Sequence, residues 1–470
     1  MKWLCICGMV MTFMGPFCFS ERCEAAVTIP MDVRIVADRL KAEAQYRMNR
    51  QKAIEDTKNK LVVLQKQKQS LDKMASSSVK QETLSRAYAD NKRDMEYQQK
   101  NLEEYLNVGK ALKRRNYKYL GIASKLYTWK TDSSNVNKGH QFYQSVNANS
   151  VKGLFDFGIH LGGVLSDYSS MSQGRVNSLL DTYLNVTYTH QLDNDNQFLY
   201  MMGFNVPTGK NKLYNYAPVM SDDLVENSRF GAGFNVVPGI YYYRWLNGKN
   251  QLGIGGYAAL AGAYDYRYGD SEDRLNPGNS YVGELQWKHL DRKLQTLVSL
   301  SCTDYSSYDE VVRDSDGKDL GSYYKPGIRL LPRATINYSP DAKNMFTVYY
   351  WHEHNAPLRE FRHHLYPEMV NPSSTGKIRN FGVQWSRKIT PKTALRFYYD
   401  RLWRSGNIYD PLMVAPEHRQ KHTFGVGYDV FKNSQEKMSL SMEAFRMQDR
   451  GKEKINYKGL NFYASYSKYF

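Results

Sequence analysis

Two neighbouring stretches, Thr423-Phe424-Gly425-Val426-Gly427-Tyr428-Asp429 and Met438-Ser439-Leu440-Ser441-Met442-Glu443, alternate apolar residues with small or polar ones. A period of two puts the apolar set on one face of a strand and the polar set on the other. The pattern recurs upstream. Leu184, Val186 and Tyr188 alternate with Asn185, Thr187 and Thr189. Leu252, Ile254, Ala258 and Leu260 share a face, and Leu285 and Trp287 alternate with Glu284, Gln286 and Lys288. Ile328, Leu330 and Ile336 oppose Arg329, Arg333 and Asn337, and Phe346, Val348 and Tyr350 repeat the theme. Alternation kept up this long implies half-buried antiparallel strands throughout.

A sandwich and a membrane barrel both alternate in this way; the spacing of the strands separates them. Short links at 192–196, 247–250, 290–293, 339–343, 389–392 and 432–435 take turns with long polar ones at 166–176, 208–228, 267–279, 305–322, 353–375 and 405–419. That places every short link at one end, as in bacterial outer-membrane barrels. Fourteen strands fit between Leu154 and Phe470, and Tyr119–Lys130 and Gln141–Asn149 add two. Sixteen is the expected number and fourteen the alternative. The last strand carries Leu460, Phe462, Ala464 and Tyr466 on one face and ends at Phe470, a pattern resembling the signal read by the barrel-assembly machinery; Lys468 departs from it.

The 470 residues carry a net charge of +17, with 38 Tyr but only 15 Pro, and mean hydropathy is −0.63. Beyond residue 19 there is no apolar run near the ~20 residues a membrane helix needs. Met1-Lys2, the apolar run Trp3 to Phe19, and Cys23-Glu24-Ala25 read as a secretory signal peptide over 1–25. An exported chain seldom meets nucleic acid, so the basic charge points to the envelope. Cys5, Cys7, Cys18 and Cys23 fall in the signal segment, leaving Cys302 alone, so no internal disulfide or thiolate zinc site is expected.

From about Val33 to Leu112 the period is helical. Ile54, Leu61 and Lys68 are spaced by seven, Thr57, Leu64 and Leu71 fill the complementary seam, and a second register includes Leu84, Tyr88, Asn91, Met95, Gln98 and Leu102. Ser78, with Gln81 three residues on, has the spacing of a capping box. The expected arrangement is an α-helical coiled-coil hairpin, with a single bent helix as the alternative. The domains are then 1–25 signal peptide, 26–115 periplasmic hairpin and 116–470 an all-β transmembrane barrel.

Motifs for chemistry are sparse. Val206-Pro207-Thr208-Gly209-Lys210-Asn211 lacks the first glycine and the final hydroxyl of a phosphate loop. His352, Glu353, His354, His363 and His364 cluster, with His352 and His354 on one face and Glu353 on the other, and read as a solvated loop. No HExxH or GxSxG occurs. No catalytic residue, metal or cofactor is expected. The candidate site is the barrel interior: Arg329 and Arg333 on one strand, Arg396, Asp400 and Arg404 on another, with Glu284, Lys288 and Glu443. Turned toward lipid, an arginine at the midplane costs roughly 2–4 kcal/mol.

Leu180-Asp181-Thr182, Gly203-Phe204-Asn205-Val206-Pro207-Thr208-Gly209-Lys210, Gly231, Gly233-Phe234-Asn235-Val236-Val237-Pro238-Gly239 and Thr303-Asp304-Tyr305 together resemble the outer-membrane β-barrel family named for the MetA pathway of phenol degradation, related in idea to FadL-type channels for hydrophobic compounds. The resemblance spans about Tyr119 to Phe470 and implies a barrel and an uptake role; the segment before residue 115 is an addition to it. The leading expectation is therefore a porin-like outer-membrane channel for small polar or amphipathic solutes. The alternative is an anchoring or assembly protein, or a polysaccharide export pore. Expected partners are outer-membrane lipids, the barrel-assembly machinery through the last strand and, through residues 33–112, a cell-wall or periplasmic partner; the 26–115 segment carries 20 basic and 12 acidic residues.

Overall fold

The computed structural model describes residues 33–75, 81–106, 116–132, 138–168, 174–193, 195–210, 212–213, 224, 231, 233–268, 271–291, 293–313, 319–362, 369–371, 376–405, 418–433, 435–450 and 454–470. The signal segment, Ser78 with its capping pattern, and His363 and His364 lie outside these residues.

Two helices come first, α1 (Val33–Ala75) and α2 (Gln81–Leu106). Asn91 donates to the Leu64 carbonyl at 3.0 Å and Tyr88 to Asp72 at 2.5 Å, so the two helices run antiparallel. Thr57 and Asn91 are buried in the seam, flanked by half-buried Leu61, Leu64, Leu71, Met95 and Gln98, whereas Lys68 points to solvent. α1 also approaches the barrel wall near residues 329–338. Neither helix is long and apolar enough to cross a membrane.

The strands are β1 (Asn116–Thr131), β2 (Lys138–Lys152), β3 (Phe155–Tyr168), β4 (Gly174–Leu179), β5 (Thr182–Gln191), β6 (Asn196–Val206), β7 (Lys212–Leu213), β8 (Asn235–Trp245), β9 (Asn250–Ala261), β10 (Tyr264–Tyr268), β11 (Ser271–Asn276), β12 (Ser280–Leu290), β13 (Leu294–Tyr305), β14 (Tyr308–Arg313), β15 (Asp319–Lys325), β16 (Arg329–Tyr338), β17 (Asn344–Asn355), β18 (Leu358–Arg362), β19 (Met369–Asn371), β20 (Lys377–Thr390), β21 (Thr393–Ser405), β22 (His418–Phe431), β23 (Glu436–Arg450) and β24 (Lys454–Tyr469). Seventeen of them form one antiparallel sheet, closed where β1 pairs with β24. β4 and β5 both pair with β3 and are the two halves of one wall strand, broken at Leu180-Asp181. The wall is a closed barrel of sixteen strands, the number expected from the sequence. Closure through β1 and β24 removes the free edges of the sheet; among the described residues β4, the outer half of the broken strand, pairs with β3 alone.

The remaining seven strands form a second sheet in the order β19-β18-β15-β14-β11-β10-β7. It corrects the expectation of polar loops at 267–279, 305–322 and 353–375: these connections contain β-hairpins that continue the barrel hairpins and pair with one another. Leu358 and Phe361 lie on β18 in this sheet.

Large apolar side chains stay exposed on the outer face, among them Phe157, Ile254, Leu285, Val348, Phe424, Leu440, Met442 and Phe462. On a water-soluble protein such a belt would aggregate; around a closed barrel it is the surface lipid covers. At the short-turn end, outward rings make a partial girdle: Phe155 against Tyr188 at 4.9 Å, Phe198 against Tyr242 at 5.1 Å and Trp385 against Phe397 at 5.7 Å.

Several short turns share one device. Asp193, Asn247 and Asp341 each accept, through Oδ1, the backbone N–H groups two and three residues on, at 2.7–2.9 Å. Asn196, Asn250 and Asn344 then donate their side-chain amides back to the first residue. These Asx-turns satisfy donors the ladder cannot reach. The Asn196 and Asn344 amides, then the backbone N–H groups, hold the Asp193 and Asp341 carboxyls below the usual carboxylate range. A depressed folded-state pKa adds stability above the unfolded value, about 3.9, that disappears as pH falls through the folded value. Asp341→Ala should lower the urea midpoint by a constant small amount from pH 8 to 5, with the gap closing below about pH 4. A gap that persists at pH 2 would show that the ionised carboxylate is not what holds the turn.

Candidate functional site

The inward face of the wall is a lattice of rows, because residues directly opposite in antiparallel strands share a face. Four rows repeat one arrangement across three strands. Tyr349 of β17 lies opposite Gly382 of β20, which lies opposite Asp400 of β21; the ring crosses the glycine and the hydroxyl donates to Asp400 at 2.5 Å. Tyr398, Gly425 and Glu443 do the same over β21, β22 and β23, at 2.6 Å. Tyr241, Gly255 and Glu284 repeat it over β8, β9 and β12 at 3.2 Å, and Tyr243, Gly253 and Gln286 at 3.4 Å. A Cβ on Gly382 or Gly425 would run into the tyrosine ring. Each ring therefore lies along the wall and covers the polar group on the third strand.

The charges are mostly satisfied from neighbouring strands. Arg329 of β16 pairs with Glu353 of β17 at 2.7 Å. Arg396 of β21 reaches Asp429 of β22 at 3.0 Å, where Lys437 of β23 also approaches. Arg419 of β22 grips Asp449 of β23 with two bonds, at 2.6 and 2.7 Å. Glu443 accepts from Tyr463 at 2.6 Å as well as from Tyr398. Asp400 accepts from Asn380 at 3.0 Å as well as from Tyr349. Lys288 lies 4.9 Å from the centre of the Tyr243 ring. Arg404 stands opposite Arg419 near the end of its strand. Arg333 forms no ion pair among the described residues; its electrostatic neighbours are Arg329, Glu284, Tyr257 and Glu353.

All eight candidate residues thus have inward parity, in two groups: Glu284, Lys288, Arg329 and Arg333 on β12 and β16, and Arg396, Asp400, Arg404 and Glu443 on β21 and β23. Sequence reading missed Arg419, the acids Glu353, Asp429 and Asp449 that answer the arginines, and the tyrosines that cover the other acids. The available signal was glycine at inward parity, at 253, 255, 382 and 425. Glu353 leaves the histidine cluster for Arg329, while His352 and His354 take the outward parity of Val348 and Tyr350.

A second assembly sits at the broken strand. Asp181 is buried, and its Oδ1 accepts the N–H of Gly209 at 3.0 Å and of Gly231 at 2.7 Å; Asn205 donates to Oδ2 at 3.2 Å. The Thr208 hydroxyl donates to the Leu180 carbonyl at 2.8 Å and accepts from the Thr182 N–H at 3.0 Å. Gly231 and Gly233 both have φ of 71°, a conformation glycine adopts without strain. One carboxylate thereby fastens both ends of the long connection between β6 and β8. Within it, Leu224 is buried at 2 % exposure against Tyr127, Trp129, Tyr143, Val164, Leu180, Phe445 and Met447, all facing inward. The Val206–Lys210 stretch, read against a phosphate loop, is part of this clasp.

No family model and no curated protein matches the chain. Among solved structures, the P. putida toluene transporter TodX aligns at 13% identity over 77% of this chain and 92% of its own, with a TM-score of 0.35. The Ralstonia pickettii toluene transporter TbuX aligns at 9% over 76% and 90%, with 0.38. A bacterial polysaccharide outer membrane secretin aligns at 10% over 74% and 97%, with 0.38.

The tyrosine joints make a sharp test. Gly425→Ala should push Tyr398 off Glu443 and cost about 1–3 kcal/mol, as overpacking does. Added to Tyr398→Phe, the same change should cost clearly less than the sum of the two, read from urea unfolding of the folded barrel. Full additivity would mean that ring and glycine are not coupled.

Proposed function

We propose that this chain is an outer-membrane channel for passive passage of small polar or amphipathic solutes, with its helices on the periplasmic side. The observation that carries the reading is the contrast between the two faces of one closed wall: apolar outside, hydrogen-bonded and charged inside. A barrel of sixteen strands is wide enough to hold water unless it is filled. An anchor needs only the outer face; it has no use for ionic side chains lining the interior, because a filled apolar core would hold the wall equally well.

The field inside follows from the pairing. Glu353, Asp429 and Asp449 are matched by arginines, and Glu284, Asp400 and Glu443 are covered by tyrosine hydroxyls. Arg333 has no such counterpart. The reading is thus a modest anion preference at low salt, weakening as the Debye length shrinks from about 10 Å at 0.1 M to about 3 Å at 1 M.

The zero-current potential across a salt gradient tests this in reconstituted protein. The parent channel should favour anions at 0.1 M. Arg333→Ser should move the potential toward the cation side, and Glu353→Gln, which frees Arg329, should move it the opposite way. Cation selectivity in the parent, or shifts of the same sign in both variants, would remove these groups from the permeation path. A bilayer that shows no unit conductance would favour the anchoring reading.

A further inference from the structure

The outer face changes character at the long-connection end of one half of the barrel. Arg401 of β21, His422 of β22, Arg446 of β23, Lys458 of β24 and Lys130 of β1 lie directly opposite one another in a single outward row. In the next outward row toward that end, His352 of β17 faces Arg379 of β20, which faces Trp403 of β21. Opposite residues of antiparallel strands sit about 5 Å apart, so like charges facing each other repel. Arg446, Lys458 and Lys130 do so in succession. Asp132 meets Lys458 at 2.6 Å and lies in the field of Arg446 and Lys130 as well, one carboxylate shared among three cations. Asp400 and Asp449, on the same strands, face inward to Asn380 and Arg419. Arg401 lies over the Trp403 ring at 4.2 Å, and neither it nor Arg379 forms an ion pair among the described residues. On the opposite wall the outward residues nearest the long connections include Val236, Leu260, Tyr281, Asp304 and Leu330. Directly below the basic row come Tyr399, Phe424, Ala444 and Leu460, the upper edge of the apolar belt. A basic side chain facing lipid is costly at the midplane and far less so at the interface, so the row marks the level of the headgroups.

We propose that this basic row is a binding surface for the phosphates of a lipid headgroup in the outer leaflet, with the lipid's chains on the apolar belt beneath it. The inference rests on the orientation given above, with the short turns and helices in the periplasm, and is independent of solute passage. Lysine and arginine clustered beside a membrane attract anionic lipids. An arginine fork also holds phosphate oxygens through paired hydrogen bonds. A phosphate seated between Arg446 and Lys458 supplies the counter-charge that the facing cations lack. Free phosphate would use the row alone, and a neutral lipid the belt alone. A phosphorylated lipid uses both at once, and the one-sided distribution of the cations confines it to the half of the barrel from β17 to β1.

Lipid A, its dephosphorylated form and inorganic pyrophosphate, added to the purified full-length protein in a non-ionic detergent, separate these sources, with bound lipid counted by native mass spectrometry. Lipid A should bind at least about tenfold more tightly than the dephosphorylated form, and pyrophosphate at equal concentration should not displace it. Arg401→Gln with Arg446→Gln should weaken lipid A about tenfold. Arg387→Gln with Lys468→Gln removes the same charge from the outer face at the short-turn end and should leave binding unchanged. Both pairs are compared on protein that keeps the parent's mobility in unheated gels. Equal affinity for the two lipids, displacement by pyrophosphate, or equal losses in the two double variants would overturn the surface. Orientation is read separately. Gly376→Cys in a Cys302→Ser background, where an added Cβ meets nothing within 4 Å, should react with a membrane-impermeant maleimide on intact cells. Lipid A binding with this cysteine shielded on intact cells would overturn the outer-leaflet placement together with the orientation it rests on. Absent lipid A binding with the cysteine labelled would overturn the surface and leave that orientation standing.

Discussion

Closure of the sheet through β1 and β24 is the constraint on which everything else in this protein depends. In lipid an unpaired backbone group costs several kcal/mol, so the wall must satisfy itself completely. Once closed, it offers one continuous inner surface on which side chains meet along rows and diagonals set by register. That geometry explains the interior glycines. A tyrosine that must reach an acid or amide two strands away has to cross the strand between, and it can do so only where that strand presents no side chain. Gly382, Gly425, Gly255 and Gly253 provide those crossings. The same geometry limits how side chains fill the barrel. A ring laid along the wall covers a carboxylate and takes less of the interior than a ring pointing toward the axis.

At the broken strand the ladder gives way, and the damage is repaired locally. Where β4 and β5 separate, the Leu180 carbonyl and Thr182 N–H find the Thr208 hydroxyl, and Leu180 N–H still reaches Gly162. Asp181, freed from the ladder, turns its carboxylate to the loop base and takes up two glycine N–H groups. Buried polar groups are tolerated when satisfied this fully. A charged residue in a wall strand, which alone looks like a defect, becomes the fastening for the long connection that places Leu224 in the lumen.

Much of this architecture was legible, because a barrel writes its inside and outside into every second residue. Alternation at Phe424, Val426 and Tyr428, and at Met438, Leu440 and Met442, gave both the strands and their facing; alternating link lengths gave the ends. What alternation does not encode is register. Arg329 shows its parity in the sequence, but its partner Glu353 is 24 residues away and looked like one member of a histidine-rich loop. Arg396 and Asp429 are likewise strangers in sequence and neighbours in space. The second sheet stayed hidden for a different reason. Its strands, such as Tyr308–Arg313 and Leu358–Arg362, are short and heavily charged, so they read as polar loop. In the helices the seam was readable from its spacing, with Lys68 the misplaced member: a lysine at that position gains more from water than from a narrow apolar seam.

The charge pattern of the wall separates two demands that the proposed channel would place on ionic groups. Arginine and aspartate that grip each other across neighbouring strands, as Arg419 and Asp449 do, contribute little net field and much geometry, since two bonds fix both side chains flat against the barrel. Groups that act on a passing ion must keep part of their field unspent. Among the described residues Arg333 forms no ion pair; Lys125, Lys288 and Lys421 lie over aromatic rings as one of their contacts. A ring face holds an ammonium through its quadrupole but cancels none of its charge. A ring therefore positions an ammonium without itself supplying a counter-charge, while an acid elsewhere on the wall, as Asp400 is for Lys421, still shares its field.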